Sequence, residues 1–482
     1  MNKRLLKEGH NCWRISRANK LAMLYDGENY FNALFNTLPK AKSSIQIFGW
    51  EVDARVGMDI IHNKYPGDLR EYFSKLADAK GLLISVSSWK PALYLKFDRE
   101  FFAPFKWWKN SSTKVHYRQL RTPTTFSSYH EKVCLIDNNL CYLGGMDITK
   151  RRWDTQEHDP KDEHRVDASG NKYNPVHDVQ IAISGEITSL VSKCLNGRLY
   201  QVPNQANKVG KEVWPSTHRP QLENVELGLA RTSPTERAFE IENFYHDSIS
   251  SAQNYIFIEN QYLSHRTVIE LLCEKLFEPN GPEVLIVLPF SYPGFFERAI
   301  FTRERRRAIK KLKKHDRYNR LLVLYPKNEN TQSERYTVVH SKLMAVDGKY
   351  LTIGSANLNY RSFRVDNELN VCLESQSQEE ILFIKGVVES LVSEHLHTTT
   401  GYFKETWEAK GSLVKSVKAL MGKDSKTLEV LPLEDNPLKE KVFFWLLPFV
   451  DIKFRWPKSY FNLAIILGIA GLIFAAKAIY ET

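Results

Sequence analysis

YHEKVCLIDNNLCYLGGMDIT, Tyr129 to Thr149, and VHSKLMAVDGKYLTIGSANLN, Val339 to Asn359, are the same design written twice. His130, Lys132 and Asp137 form H-x-K-x-x-x-x-D, and His340, Lys342 and Asp347 repeat it. Gly144-Gly145-Met146-Asp147 lies at the same offset from His130 as Gly354-Ser355-Ala356-Asn357 does from His340. In H-x-K the period of a strand puts His and Lys on one face. The apolar residues before each Asp, VCLI and LMAV, carry that strand into a core. The small residues at 144–145 and 354–355 are expected to let backbone approach a phosphate closely.

The repeat extends upstream. SSIQIFGWEVD at 43–53 and NYIFIENQYLS at 254–264 both read as an apolar strand running into a polar loop. Ile45 precedes His130 by 85 positions and Ile256 precedes His340 by 84. The chain therefore divides into a first unit at 1–200, a connector at 201–233 rich in Pro, Asn, Lys and Gln, and a second unit at 234–400. A tether at 401–440 and a membrane-anchoring segment at 441–482 follow. Strands are expected at Leu82–Val86, Val133–Ile136, Val284–Leu288, Leu321–Tyr325 and Leu343–Val346. Helices are expected at Tyr30–Leu38, Phe239–Ala252, Arg266–Phe277 and Glu379–His395. Such alternation is an α/β architecture, here two duplicated units of mixed sheet flanked by helices.

Two such histidines can face one phosphorus from opposite sides, one attacking in line and the other protonating the leaving oxygen. Lys132 and Lys342 neutralise the nonbridging oxygens as charge develops. This chemistry needs no metal and no cofactor. A lone histidine at a strand end reads best as a satisfied core residue, whereas the duplicated, intact set reads as a catalytic pair.

At 482 residues, 43% hydrophobic and 26% charged, the chain is long enough to bury a large core and is not a disordered or low-complexity polymer. Its mean hydropathy of −0.40 excludes a polytopic membrane protein. A net charge of +11 calls for an anionic partner, whether nucleic acid, an anionic membrane surface or a phosphate-bearing substrate. Six cysteines with no C-x-x-C pair are too few for a disulfide scaffold and argue for reduced thiols in a cytosol-facing setting. The basic N-terminus lacks the apolar core of a secretory leader. Tyr460–Ala476 carries no charge, and a helix over about 460–480 would span one hydrocarbon core of roughly 30 Å. Lys453, Arg455 and Lys458 before it place the catalytic region on the cytoplasmic side of a single-pass C-terminal anchor. Arg303–Lys314 reads as a solvated basic helix face or an anionic-lipid contact. The loop Glu157–Asp167 holds two histidines and several acids and could hold a metal, though such loops usually do not.

These motifs resemble the phospholipase D superfamily in its two-copy form, over roughly Tyr25 to Leu396. GGMDITKRRWDTQEH at 144–158, PVHDVQIAISG at 175–185 and FIENQYL at 257–263 resemble blocks of the eukaryotic-type branch. The resemblance implies two α/β units about a pseudo-twofold axis, one active site at their seam and a covalent phosphohistidine. It implies His130 as nucleophile and His340 as acid, with the near symmetry of the site leaving the reverse order open. It also implies a carboxylate orienting each histidine, Asp178 for His130 and Glu368 for His340. Asp147 stands where many relatives carry Asn, and the eukaryotic-type branch tolerates Asp there. The candidate set is His130, Lys132, Asp137, His340, Lys342 and Asp347 for catalysis, with Gly145, Asp147, Ser355, Asn357, Asp178 and Glu368 for binding or orientation. No lipid-binding regulatory domain is expected ahead of the first unit.

The expected function is a membrane-tethered phosphodiesterase that cleaves the head-group phosphodiester of a glycerophospholipid and passes the phosphatidyl group to water or a primary alcohol. The rivals are a cardiolipin-synthase-like phosphatidyl transferase, a nuclease of the same superfamily and a non-enzymatic membrane scaffold. Nucleic acid is disfavoured as a partner by the lipid-type blocks and the apolar C-terminus.

Overall fold

Segments of two to twelve residues, most of them apolar on at least one face, form strands on both sides of residue 200. Those before it are β1 (Arg14–Tyr25), β2 (Ser44–Gly49), β3 (Leu83–Trp89), β4 (Val115–Leu120), β5 (Val133–Ile136), β6 (Leu140–Gly144), β7 (Val176–His177) and β8 (Val179–Ser184). Those after it are β9 (Leu222–Ser233), β10 (Ala238–Phe239), β11 (Tyr255–Asn260), β12 (Glu283–Val287), β13 (Leu321–Asn328), β14 (Val338–Val339), β15 (Lys342–Val346), β16 (Tyr350–Gly354), β17 (Glu368–Glu374) and β18 (Lys426–Val430). The computed structural model describes residues 4–433 apart from 57–67, 91–99, 101, 125–126, 168, 196, 200–211, 293–294 and 329–335. The expected anchor at 441–482 lies outside the described residues. Among the described residues no helix is long and apolar enough to cross a membrane.

From its centre outward the main sheet runs β1-β8-β6-β5-β2-β3-β4 in one direction and β9-β17-β16-β15-β11-β12-β13 in the other, where β18 is added. Taken in chain order, the strands of the two arms occupy matching places. β2-β3-β4 and β11-β12-β13 are parallel, and β5, β6, β8 and their counterparts pair antiparallel, so the fold is mixed α/β. β1 and β9 pair antiparallel, with Leu21 opposite Leu222 and Arg14 opposite Leu229. One sheet therefore crosses the middle without a break. The expected connector at 201–233 is corrected by the same pairing, because β9 occupies its last third. LENVELGLARTS buries almost all of its second half at the sheet centre, which a solvated linker cannot do.

Alternation along each strand assigns its two faces. In β15, Leu343 and Ala345 join one core while Met344 and Val346 join another, and Val133/Leu135 against Cys134/Ile136 divide in the same way in β5. Helices Asp26–Thr37 and Leu69–Lys80 cover one face of the first arm. Glu240–Ser251, Arg266–Phe277 and Phe295–His315 cover the corresponding face of the second. The opposite face carries the core shared by both arms, roofed by Ile187–Cys194 and Gln378–His395. Gln378–His395 starts at a capping box in which Ser377 and Glu380 exchange side-chain and backbone bonds. The expected helices at Arg266–Phe277 and Glu379–His395 and the strand Val133–Ile136 match to within one residue.

The expected tether at 401–440 is also corrected over its described part. Thr400–Lys410 and Leu413–Leu420 are helices whose Phe403, Trp407, Leu413, Val414 and Val417 enter the shared core, and β18 closes the sheet on β13. The basic run Arg303–Lys314 lies on Phe295–His315, but it is not wholly a solvated face. Ile309 and Leu312 are buried, and Arg305 turns inward to bond the Phe290 carbonyl at 2.9 Å. All six cysteines are buried and unpaired.

Candidate active site

Both H-x-K motifs sit where a strand of the sheet begins. His130 and Lys132 immediately precede or enter β5, and His340 and Lys342 do the same at β15. Each lysine is buried and folds back on its own motif. Lys132 Nζ donates to the His130 carbonyl at 2.8 Å and meets the Asp147 carboxylate at 3.1 Å. Lys342 Nζ donates to the His340 carbonyl and lies 3.0 Å from His340 Nδ1. The two arms are therefore unequal: Asn357, at the place of Asp147, has no charge to pair with Lys342. Burial, reinforced by Lys132 and Arg152 and opposed by Asp178, pushes the Lys342 ammonium down to about 7.

The histidines cross over. His130 Nδ1 lies 2.9 Å from Glu368 Oε2, and His340 Nδ1 lies 2.6 Å from Asp178 Oδ2. Asp178 was expected to orient His130 and Glu368 to orient His340, so both pairings are corrected. The reason is in the backbone. The His130 N–H donates to the Asn367 carbonyl at 2.9 Å, and the His340 N–H donates to the His177 carbonyl at 2.7 Å. Each motif enters its strand through a short parallel contact with the opposite arm, Tyr129 with Asn367 and β14 with β7. The carboxylate one residue beyond that contact is thus the other arm's. Sequence order alone pairs each histidine with the nearer downstream acid.

Asp137 and Asp347 are not at this site. Asp137 accepts from the backbone of Lys42, Ser43 and Ser44 at 2.7–2.9 Å and from the Ser43 hydroxyl at 2.8 Å. Asp347 accepts from the backbone of Gln253, Asn254 and Tyr255 at 2.7–2.8 Å. Five residues of strand at about 3.3 Å each set either Asp roughly 16 Å from its lysine. Both sit in the β5–β6 and β15–β16 hairpin turns with φ of 51° and 55°, a left-handed conformation that a short polar side chain tolerates. Their carboxylates tie the turn to the start of β2 or β11.

The small residues also act differently from expectation. A Cβ on Gly145 would fall 2.1 Å from Asp178 Oδ1, so this position must be glycine to let the carboxylate sit beneath His340. Ser355, at the same offset, donates its hydroxyl to Glu368 beneath His130. Position 145/355 thus seats the orienting acids and is not itself a phosphate cradle. Asp147 accepts from the Trp50 N–H at 2.8 Å and holds Lys132. Asn357 is buried with its side-chain oxygen unpaired.

Electrostatics place these groups in one field. Burial, then Lys132 and Lys342, hold the His130 imidazole well below the usual histidine range. Burial, then Lys342 and Arg152, do the same for His340, with Lys132 and His130 adding to it. Burial raises Glu368 to about 8 and Asp178 to about 6. The His130 side chain keeps 19% exposure and His340 10%, so both rings reach an opening while their acids are sealed beneath. Arg152, acting on His340, Lys342 and Asp178, is a further cation that sequence reasoning left without a role. Its signal was present in the block GGMDITKRRWDTQEH, but the motif repeat does not reach it. Two imidazoles from opposite arms, with cations on either side, suit a phosphate diester.

The chain is similar to several known proteins. The family described as "Cardiolipin synthase, PLD-like domain" matches residues 245–383. "Phospholipase D1" of Saccharomyces cerevisiae is 23% identical over 444 residues, covering 70% of this chain and 26% of that protein. "Cardiolipin synthase" of Listeria welshimeri is 18% identical over 390 residues, covering 78% and 70%. The chain spans only 14% of the length of "Phospholipase D zeta 1" of Arabidopsis thaliana and 26% of that of the yeast phospholipase D. Among solved structures, phosphatidylserine synthase of Haemophilus influenzae Rd KW20 shares the fold with a TM-score of 0.55 at 12% identity, over 84% of this chain and 97% of that one.

Proposed function

Because the chain belongs to the phospholipase D superfamily, we propose that it is an enzyme of phospholipid phosphodiester chemistry that transfers a phosphatidyl group through a histidine. The two arms are read as two copies of one unit, sharing one site between His130 and His340. In the forward step His130 Nε2 bonds to phosphorus as the bond from phosphorus to the head-group oxygen breaks. His340 gives that oxygen its proton, and the head-group alcohol leaves. Water or an alcohol then attacks the phosphohistidine and passes its proton to His340, releasing phosphatidate or a new phosphodiester. Glu368 and Asp178 keep each ring's Nδ1 engaged so that Nε2 faces the substrate. Lys132, Lys342 and Arg152 take the charge of the nonbridging oxygens.

The observation that carries this reading is the crossed pair of bonds, His130 with Glu368 and His340 with Asp178, which puts one imidazole from each arm beside the other arm's acid. Attachment to an anionic membrane surface is supported by the net charge, by the uncharged stretch 460–476, and by Phe102, Phe105 and Trp108, which are exposed beside Lys109; Lys453, Arg455 and Lys458 ahead of that stretch favour a cytoplasmic catalytic region. The test is a panel of phospholipids with and without a primary alcohol, read by mass spectrometry. Head-group release and, with the alcohol, a new phosphatidyl-alcohol are expected. No change in any lipid, with cleavage of single-stranded DNA instead, would replace this reading with a nuclease.

A second reading, a transferase whose acceptor is another lipid's hydroxyl, is favoured by the cardiolipin synthase match and its reach over 70% of that relative. Phosphatidylglycerol alone separates the two: cardiolipin and glycerol mark the transferase, phosphatidate and glycerol the hydrolase.

The pH profile of kcat/KM follows from the two pairs. One pair must carry the proton to be delivered and the other must have a bare Nε2. The His340–Asp178 pair changes proton count near pH 6 and the His130–Glu368 pair near pH 8. Below about 6 both pairs gain their proton, and above about 8 both lose it, so kcat/KM should fall roughly tenfold per pH unit on either side. Between about 6 and 8 the dominant form has the proton on the His130–Glu368 pair and a bare His340, which is the form needed if His340 attacks; with His130 attacking, the minor, oppositely protonated form reacts and the bell keeps the same limbs. Glu368→Gln should move the alkaline limb, and Asp178→Asn the acid limb, to lower pH, because the imidazole left behind holds its proton less firmly without the carboxylate; limbs unmoved in both variants would show that other groups set the profile.

A further inference from the structure

Behind the Asp178 backbone lies a second, sealed group of ionisable side chains that the phosphodiester chemistry does not use. Asp26 opens helix Asp26–Thr37, His158 lies in the loop after β6, His177 is in β7 and Glu394 is near the end of helix Gln378–His395. All four are buried. One ligand-type atom from each lies within 4.8 Å of every other. The separations are 3.7 Å for His158 Nε2 to Asp26 Oδ2, 3.1 Å for His158 Nε2 to Glu394 Oε1, 2.8 Å for His177 Nδ1 to Glu394 Oε1 and 3.0 Å for His177 Nδ1 to Asp26 Oδ1. Four donors at about 2.0–2.1 Å from a tetrahedral zinc stand about 3.3 Å from one another.

Two atoms of this group are unsatisfied. His177 Nδ1 and Asp26 Oδ2 are buried and have no hydrogen-bond partner. His177 Nδ1 stands 3.0 Å from Asp26 Oδ1 and 2.8 Å from Glu394 Oε1, ion-pair contacts whose angles fall short of a well-formed hydrogen bond. A buried polar atom left so is costly unless something occupies the gap. The outer nitrogens complete the pattern. His158 Nδ1 meets Asp154 Oδ2 at 2.8 Å, and Asp154 is held by Arg165 at 2.7 Å and by the Val176 N–H at 2.8 Å. His177 Nε2 meets Glu259 Oε2 at 3.0 Å, and Glu259 is held by His395 at 2.9 Å and by the Ser341 hydroxyl at 2.9 Å. A carboxylate on the far nitrogen of each histidine is how metal-binding imidazoles are usually oriented.

We infer that Asp26, His158, His177 and Glu394 form a buried site for a divalent transition metal of the zinc type. Two imidazole nitrogens with two carboxylates suit zinc and its neighbours and not calcium or magnesium, which prefer all-oxygen sets. Carboxylates crowd the group: Asp26 and Glu394 lie within it, and Asp154 and Glu259 meet the outer nitrogens of its two histidines. Of the loop Glu157–Asp167, only His158 takes part as a ligand; His164 is exposed and paired with Asp162. The site is structural in character. It ties β7 to a helix that packs over both arms, and the His177 carbonyl beside it receives the His340 N–H. The metal would hold the His340–Asp178 pair in place without touching substrate.

The full chain, purified without chelator, should carry about one zinc-type ion per molecule by plasma mass spectrometry. Phenanthroline should remove it and lower Tm, and zinc chloride but not magnesium chloride should restore both. Cobalt(II) added to the stripped protein should give the visible absorption of a tetrahedral site. His158→Ala and Glu394→Gln should abolish metal content. Should these variants fail to fold, the zinc and cobalt titrations of the stripped wild-type chain decide alone. Wild-type protein with no stoichiometric metal and no zinc-dependent rise in Tm would overturn the inference and leave an imidazolium network. Metal retained in both variants would also overturn it.

Discussion

Head-group release from a natural phospholipid should fall by roughly three orders of magnitude or more in both His130→Ala and His340→Ala, and the two variants should then part on an activated substrate. A phosphodiester with a nitrophenol leaving group departs without a proton, so it bypasses the acid. His340→Ala should still release a first equivalent of nitrophenol and accumulate a phosphorylated histidine, whereas His130→Ala should release none. A burst in His130→Ala and none in His340→Ala would reverse the two roles, and full turnover of the natural lipid in either variant would remove the site from the chemistry. His340 also covers a buried carboxylate, so His340→Gln is the gentler companion, and folding of each variant is followed by circular dichroism.

The second large effect is on stability and leaves catalysis alone. Asp137→Ala strips the carboxylate from three backbone N–H groups and one hydroxyl at the start of β2. Donors left without a charged acceptor should cost about 2–4 kcal/mol in urea unfolding. Asp347→Ala should cost less, because Gln253 and Asn254 are exposed and water can replace part of the loss. Asp137→Asn keeps a short polar side chain suited to φ of 51° and should lie between wild type and alanine. The kcat per folded molecule should stay within about twofold of wild type, since roughly 16 Å of strand separates the group from Lys132. Loss of kcat in a folded Asp137→Ala enzyme would return this residue to the active site.

The motif H-x-K-x-x-x-x-D therefore joins two jobs in one run of sequence. On the proposed reading His and Lys serve the chemistry, while Asp ties down the far end of the same hairpin. Both jobs depend on the strand between them, which is why the spacing repeats in the two arms. Gly145 and Ser355 divide in the same spirit. One yields space to Asp178 and the other supplies a hydroxyl to Glu368, so a single position serves the two acids by different means.

Much was decided along the chain. Strand periodicity puts His130 with Lys132 and His340 with Lys342 on one face, the matched spacing from Ile45 and Ile256 marks two arms of like order, and apolar runs between turn residues locate β2, β3, β5, β11, β12, β13 and β15 and helices such as Arg266–Phe277 and Gln378–His395. These are local facts, because side-chain direction and hairpin turns depend on neighbours a few residues apart. The tertiary structure alone decided which acid meets which histidine, that β9 lies at the centre of one unbroken sheet, and that residues 400–430 belong to the core. It also decided that Asp26, His158, His177 and Glu394 converge. The decisive contacts join residues far apart along the chain: His130 and Glu368 stand 238 positions apart, His340 and Asp178 162, and His158 and Glu394 236. Spacing along a chain carries no information about which distant strand edge a loop will meet; that is settled only when both arms bury their apolar faces together.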